Sequence, residues 1–197
     1  QDEFGGSLEN RLRAPLMFIA AVRKAVGKDF TLGVRMCADE MIPGGLDLAQ
    51  VQEICAAFEA SGLIDFMDLS IATFYNLYLV EGSMHTPLGY TIPLAAGVRE
   101  KLKIPVFCTG RINDPVMAEK VLAAGQADMI GMCRALICDP YLPKKAKEGR
   151  LEDLRYCIAC NQGCIGRIGM NKSIGCVQNP AVGREKVWGE GTLKPAP

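Results

Sequence analysis

Short β-leaning runs alternate along this chain with longer amphipathic segments, and that alternation restricts its fold more than any other feature. The runs are "TLGVRM" (Thr31–Met36), "IDFMDLS" (Ile64–Ser70), "IPVFCTG" (Ile104–Gly110) and "ADMIGM" (Ala127–Met132). Each is too short for a helix. Between them apolar residues recur three and four apart, at Leu12, Leu16, Ile19, Val22 and Val26 and again at Leu48, Val51, Ile54 and Phe58, the stripe of a half-buried helix. Asp47 stands where a cap belongs. "NDPVMAEKVLAAG" places Asp114 to cap, Pro115 at the first helical position and Gly125 at the end, and "CDPYLPKKAKEG" repeats the arrangement with Asp139, Pro140 and Gly149. The predicted order is helix, strand, helix, strand, a long segment, strand, helix, strand, helix. Such an order means parallel strands joined by crossover helices.

A doubly wound sheet and a barrel share this alternation. In either, chemistry gathers at the carboxyl ends of the strands. Three arginines fall there: Arg35 near the end of the first run, Arg111 after "CTG" and Arg134 after "GMC". Loops after the last two strands of a (β/α)₈ barrel often form a phosphate site, where a turn such as Gly110 and a bidentate guanidinium suit a phosphate dianion. No GxGxxG follows any strand, which argues against a Rossmann dinucleotide site within the chain.

The 197 residues suffice for one sizeable core, and 22 Lys plus Arg balance 22 Asp plus Glu, so no net field draws nucleic acid or an anionic membrane. The longest uncharged run, Gly82–Val98, is broken by Pro87, Gly89 and Pro93 and cannot make a spanning helix. The opening "QDEFGGSLENR" carries neither a secretory signal nor an initiator methionine, and reads as the middle of something longer.

Nine cysteines are many for this length. Cys37, Cys55, Cys108, Cys133 and Cys138 sit singly in apolar periodic segments, where the expectation is a small buried hydrophobe. Their odd number and a chain too long for a disulfide scaffold point to a reducing cytoplasm. The other four crowd into "RYCIACNQGCIGRIGMNKSIGC" (Arg155–Cys176). Cys157, Cys160, Cys164 and Cys176 form C-x2-C-x3-C-x11-C, three ligands on one tight turn and a fourth returning from a loop. Thiolates without histidine or carboxylate favour zinc or an iron–sulfur cluster. Structural zinc usually takes two C-x2–4-C knuckles, and only the first pair has that form; three close cysteines and one distant one fit a cubane [4Fe–4S] cluster better. Zinc and disulfides remain open on spacing alone.

"DEFGGSLENRLR" (Asp2–Arg13), "GGL" (Gly44–Leu46), "TGRINDP" (Thr109–Pro115), "ADMIGMCRALICDPYLP" (Ala127–Pro143) and "CIACNQGC" (Cys157–Cys164) closely resemble the iron–sulfur branch of the Old Yellow Enzyme flavoproteins, which includes 2,4-dienoyl-CoA reductase, trimethylamine dehydrogenase and amine demethylases. The resemblance covers nearly the whole chain in order. It implies an α/β fold: the C-terminal half of an FMN-binding TIM (β/α)₈ barrel over residues 1–150, a [4Fe–4S] segment over 151–180, and a linker over 181–197 towards an FAD and NAD(P)H-binding region. By the same resemblance Arg35 matches the arginine set against the flavin N1/O2 edge, Gly110 with Arg111 and Cys133 with Arg134 match the two turns that hold the FMN phosphate, and Cys157, Cys160, Cys164 and Cys176 match the cluster ligands. The implied enzyme passes electrons between a small-molecule substrate, FMN, the cluster and a distal flavin.

Two departures from the family stand out. Only the later half of the barrel is matched, so the family's earlier FMN contacts and usual catalytic tyrosine are absent. Where dienoyl-CoA reductase places a histidine this chain reads "SIATFYNLY", with Phe74 and Tyr75 at about that point, and the one histidine, His85, lies further on as a loop residue. Tyr75 is a weak candidate for catalysis; it and Tyr78 fit a substrate pocket or aromatic core packing. The alternative function is a non-catalytic half barrel whose cysteines hold structural zinc. Four βα units cannot close a barrel, so open strand edges and an apolar inner face are expected to drive homo-oligomerisation.

Overall fold

The computed structural model describes residues 2–192. Its helices are α1 (Leu8–Val26), α2 (Leu48–Ala60), α3 (Leu77–Val80), α4 (Ile92–Arg99), α5 (Pro115–Ala123), α6 (Cys133–Cys138), α7 (Leu142–Lys147), α8 (Ile165–Gly169) and α9 (Glu185–Trp188). The strands are β1 (Gly33–Cys37), β2 (Phe66–Ser70), β3 (Val106–Thr109) and β4 (Met129–Gly131), in the sheet order β1-β2-β3-β4. β1 pairs with β2 and β2 with β3 in parallel. A doubly wound sheet reverses its strand order at a switch point; four strands laid down strictly in sequence are part of a barrel wall. No helix among the described residues is long and apolar enough to cross a membrane.

The chain divides into two compact units. The first takes residues up to Val80, Thr91–Thr109 and Val121–Ile130; the second takes Glu81–Tyr90, Gly110–Lys120 and the residues from Gly131 onward. These units cut across the expected segments 1–150 and 151–180, and residues 193–197 of the expected linker lie outside the described residues.

Local chemistry explains the first unit. Asp47 and Gln50 close a capping box at the start of α2, with N–H to side-chain oxygen distances of 2.9 and 3.2 Å. Val51, Ile54, Cys55 and Phe58 on that helix are buried, as are Ala95 and Val98 on α4. The sheet residues Met67, Leu69, Val106 and Cys108 alternate with half-buried neighbours, the period of a strand covered on one face. α4 lies inside the stretch read as broken. Its Pro93 falls in the first turn, where a missing N–H costs nothing.

The other sheet face corrects the expectation of an apolar inner surface. Arg35 and Asp68 are register partners joined by a 2.6 Å ion pair, and the Thr109 hydroxyl reaches Asp68 at 3.4 Å. Beside them the Phe66 and Phe107 rings stack with centroids 4.4 Å apart. Gly33 makes that possible, since a Cβ there would stand inside the Phe66 ring.

The second unit is organised by Asp139, which has no exposed surface. Its carboxylate accepts from Lys145 Nζ at 2.6 Å, the Arg155 N–H at 3.0 Å and the Tyr141 N–H at 3.1 Å. Asp139 was expected to cap a helix beginning at Pro140; α7 begins two residues later, and the cap serves the turn before it. Burial pushes the carboxyl pKa up, but these donors outweigh it and hold the group below its ordinary value. A depressed carboxyl contributes stability that is present above the unfolded value near pH 3.9 and disappears as pH falls through the folded one. Asp139→Asn is therefore expected to cost about 1.5–3 kcal/mol at pH 7, the worth of a charge-assisted hydrogen bond. Thermal melts should show the gap from wild type closing as the pH drops below 4; a gap independent of pH would mean that Asp139 acts through packing alone.

Candidate cofactor sites

The four clustered cysteines line one cavity of the second unit, together with Arg134, Ile137, Ile158, Asn161 and Val177. The atom-free space there, open mouth included, is about 310 Å³. Backbone shape creates it. Ala159 and Asn161 adopt left-handed conformations, with φ of 54° and 59°, and so the chain reverses twice between Cys157 and Cys164. Asn is among the few side-chain-bearing residues that tolerate this region.

Cys176 reaches the same cavity because two glycines let backbones touch. The Gly175 N–H donates to Gly163 O at 2.6 Å, and a Cβ on Gly163 would lie 2.8 Å from Gly175 O. Any side chain at 163 would push the returning strand, and Cys176 with it, out of place. Asn113 Nδ2 donates to Cys157 O at 2.7 Å and fixes the entry to the turn. Burial raises the Cys164 thiol pKa, while the nearby positive charge of Arg134 pulls it down. All nine cysteines are free thiols, which sets disulfides aside. Among the described residues no three Cys, His, Asp or Glu side chains converge as ligands of a single metal ion.

The singly placed cysteines do not share one environment. Cys55, Cys108 and Cys138 are fully buried, as expected, and burial pushes Cys55 up to about 12. Cys37 is half-buried, its sulfur 3.0 Å from Asp39 O and 3.2 Å from Ala72 O. Cys133 is exposed; it opens α6, and the apolar periodicity that seemed to bury it belongs to its neighbours Ala135 and Cys138. Burial also pushes Cys138 up to about 12, and the neighbouring thiols of Cys176 and Cys157 push the same way, which makes it a fifth thiol beside the clustered four.

The two phosphate-turn candidates also lie in the second unit. Gly110 is buried, Arg111 follows it with φ 52°, and the Arg111 Nε is buried without an acceptor among the described residues. A buried guanidinium N–H costs free energy until something accepts from it. α6 begins at Cys133 with no side-chain cap on its first turn. The Arg134 side chain is engaged: Nη1 donates to Gly82 O at 2.8 Å and to Asn161 Oδ1 at 2.7 Å. Sequence reading missed Asn161 as its partner, although an Asn set between cysteines was the available signal.

In the first unit Arg35 is the middle residue of β1, with its guanidinium half exposed and bound to Asp68. Phe74 and Tyr75 are each 92% exposed and Tyr78 is 72% exposed, so core packing of these tyrosines is ruled out. Asn76 holds their turn by donating to Glu40 O and Met41 O, both at 3.1 Å. His85 lies exposed in a loop of the second unit.

Residues 1–153 match the model of the NADH:flavin oxidoreductase / NADH oxidase family. The chain is 39% identical over 197 residues to an NADH oxidase of Thermoanaerobacter brockii, covering all of this chain and 30% of that one. It is 37% identical to the N,N-dimethylglycine/sarcosine dehydrogenase of Chromohalobacter salexigens, covering 94% of this chain and 27% of that one. A 2-naphthoyl-CoA reductase structure in complex with 2-naphthoyl-CoA superposes with a TM-score of 0.87 at 37% identity, covering 94% of this chain and 28% of that one. The chain thus spans less than a third of the length of these relatives. With a barrel wall built in strand order, an orphaned guanidinium at the turn after β3 and a family match over most of its length, the chain belongs to the NADH:flavin oxidoreductase / NADH oxidase family.

Proposed function

We propose that this chain carries part of an FMN site and the whole ligand set of a [4Fe–4S] cluster, in an oxidoreductase that moves electrons between a small-molecule substrate and NAD(P)H or a distal flavin. The observation that carries the cluster reading is the single cavity onto which Cys157, Cys160, Cys164 and Cys176 all open. Structural zinc usually takes two C-x2–4-C knuckles, and of the two successive pairs only Cys157 with Cys160 has that form. A cubane gives each thiolate its own iron, so its ligands stand apart around a larger body.

Bound in such a protein, FMN supplies hydride and single-electron chemistry and the cluster supplies single-electron transfer. The chain's own residues bind and orient. The orphaned Nε of Arg111 would donate to the FMN phosphate, with the Gly110 turn and the uncapped backbone N–H groups at Cys133 and Arg134 completing the cradle. Arg35, held by Asp68, would supply a positive charge to the flavin ring. The substrate is an N-methylated amine or a conjugated enoyl compound, the classes in the names of the dehydrogenase and cinnamate-reducing relatives.

Purified anaerobically in its complete reading frame, the protein is expected to be brown and to hold iron and acid-labile sulfide in equal amounts. Gly163→Ala should lose most of both, because Cys176 can no longer close the site. Zinc in place of iron would refute the cluster, and a Gly163→Ala protein with full iron would refute the role of the glycine pair.

Replacing Arg111 tests the flavin side. Arg111→Met is expected to weaken FMN by about 1.5–3 kcal/mol, the worth of a charge-assisted hydrogen bond, and to leave riboflavin, which lacks the phosphate, almost unaffected. Equal losses for both flavins would show that Arg111 supports the turn and does not bind phosphate.

A further inference from the structure

We propose that Arg134 and Asn161 form a clamp for the iron–sulfur cluster, Asn161 fixing the cysteine loop and the Arg134 cation favouring the cluster's reduced, more negative state. This rests on the reading of the four cysteines as cluster ligands. It gives the Arg134 side chain a task different from phosphate binding.

The geometry is a closed ring of hydrogen bonds within the second unit. Arg134 Nη1 bridges Gly82 O at 2.8 Å and Asn161 Oδ1 at 2.7 Å, and Asn161 Nδ2 returns to Glu81 O at 2.7 Å. The Asn161 carbonyl accepts from the Gly166 N–H at 2.7 Å, so one residue ties the loop carrying Cys160 and Cys164 to α8 and to the 81–82 turn. Both ends of the Asn161 amide are consumed, which fixes its orientation. Arg134 opens α6 one residue after Cys133 and lines the cysteine cavity itself.

Charge balance points the same way. The Arg134 side chain is only 13% exposed, yet its one ion-pair partner among the described residues, Glu81, is 3.8 Å away with its side chain 35% exposed. Water screens so long and open a pair. A buried cation so weakly paired needs a counter-charge, and a cubane held by four thiolates carries net negative charge. One-electron reduction adds to that charge, so a fixed cation nearby raises the reduction potential. Lysine would keep the charge but lose the planar fork that spans Gly82 O and Asn161 Oδ1.

The test uses the flavin-loaded protein in its complete reading frame, read by iron and sulfide content, loss of the visible cluster band under a chelator, cluster midpoint potential, and the affinities of FMN and riboflavin. Wild type without iron would overturn the cluster reading itself, before the clamp is reached. With iron present, Asn161→Gly keeps the left-handed backbone and removes only the amide; it should release iron to the chelator several-fold faster with FMN affinity unchanged. Arg134→Met should do the same and shift the one-electron equilibrium towards the oxidised cluster about tenfold, which is 59 mV. Arg134→Lys should restore the potential and leave the loop labile. Wild-type potential and iron retention in Arg134→Met, with its preference for FMN over riboflavin lost, would assign the side chain to the phosphate and overturn the clamp. Should Arg134→Met fail to fold, an Asn161→Gly protein as chelator-resistant as wild type would overturn it alone.

Discussion

One buried carboxylate sets the course of the chain where the barrel wall ends and the cysteine segment begins. Asp139 gathers a lysine from the end of α7, the N–H that starts the turn into α7, and the N–H of Arg155, two residues before Cys157. A carboxylate with no exposed surface is tolerable only when its oxygens are filled. Those same bonds fix the exit of α6, the helix α7 and the entrance to the cluster turn as one piece. Leu142, Leu154 and Ala135 pack beside it as a small apolar cluster, so polar and apolar terms favour the same arrangement.

From that anchor the cysteine spacing becomes intelligible. Three ligands within eight residues need backbone that reverses sharply, and the left-handed Ala159 and Asn161 provide it. The fourth cysteine is twelve residues further on because α8 and its flanking turns must be traversed before the chain returns. What brings it home is a contact between two backbones, Gly163 against Gly175, and not a side chain.

Much of this was legible in the sequence, and the failures have physical causes. The four strands fell where β-leaning runs stood, trimmed by one or two residues at most ends, and Asp47 caps α2 as its position implied. Those are local signals, set by neighbours in sequence. α4 was hidden because Pro93 resembles a breaker, although a proline in the first turn is harmless. Cys133 was assigned to the interior from the periodicity of residues around it, and a helix of six residues is too short for periodicity to choose a face. The tyrosines at 75 and 78 were unassignable, because an aromatic residue reads alike whether its turn points in or out. The four cysteines were visible by spacing, while Arg134 meeting Asn161 across 27 residues was not. Such contacts are products of the fold and leave no mark on composition or period.

The segment Gly131–Asp139 carries an unusual density of tasks. In nine residues it ends β4, offers uncapped N–H groups at Cys133, sends Arg134 to the cysteine loop, places Cys138 against Cys176 and buries Asp139. α6 has only six residues, too few to be stable by itself. Its conformation is therefore held by what its side chains grip, and each grip lies in a different part of the second unit. Loosening the cysteine loop would free Arg134 and Cys138 together and leave Asp139 to hold the turn alone. The converse follows from linkage: anything that binds tightly in the cysteine cavity stabilises the residues of α6 that line it, Arg134 and Ile137. The cysteine loop and α6 are thus two expressions of one local folding equilibrium, joined through the side chain of Arg134 in a helix too short to stand alone.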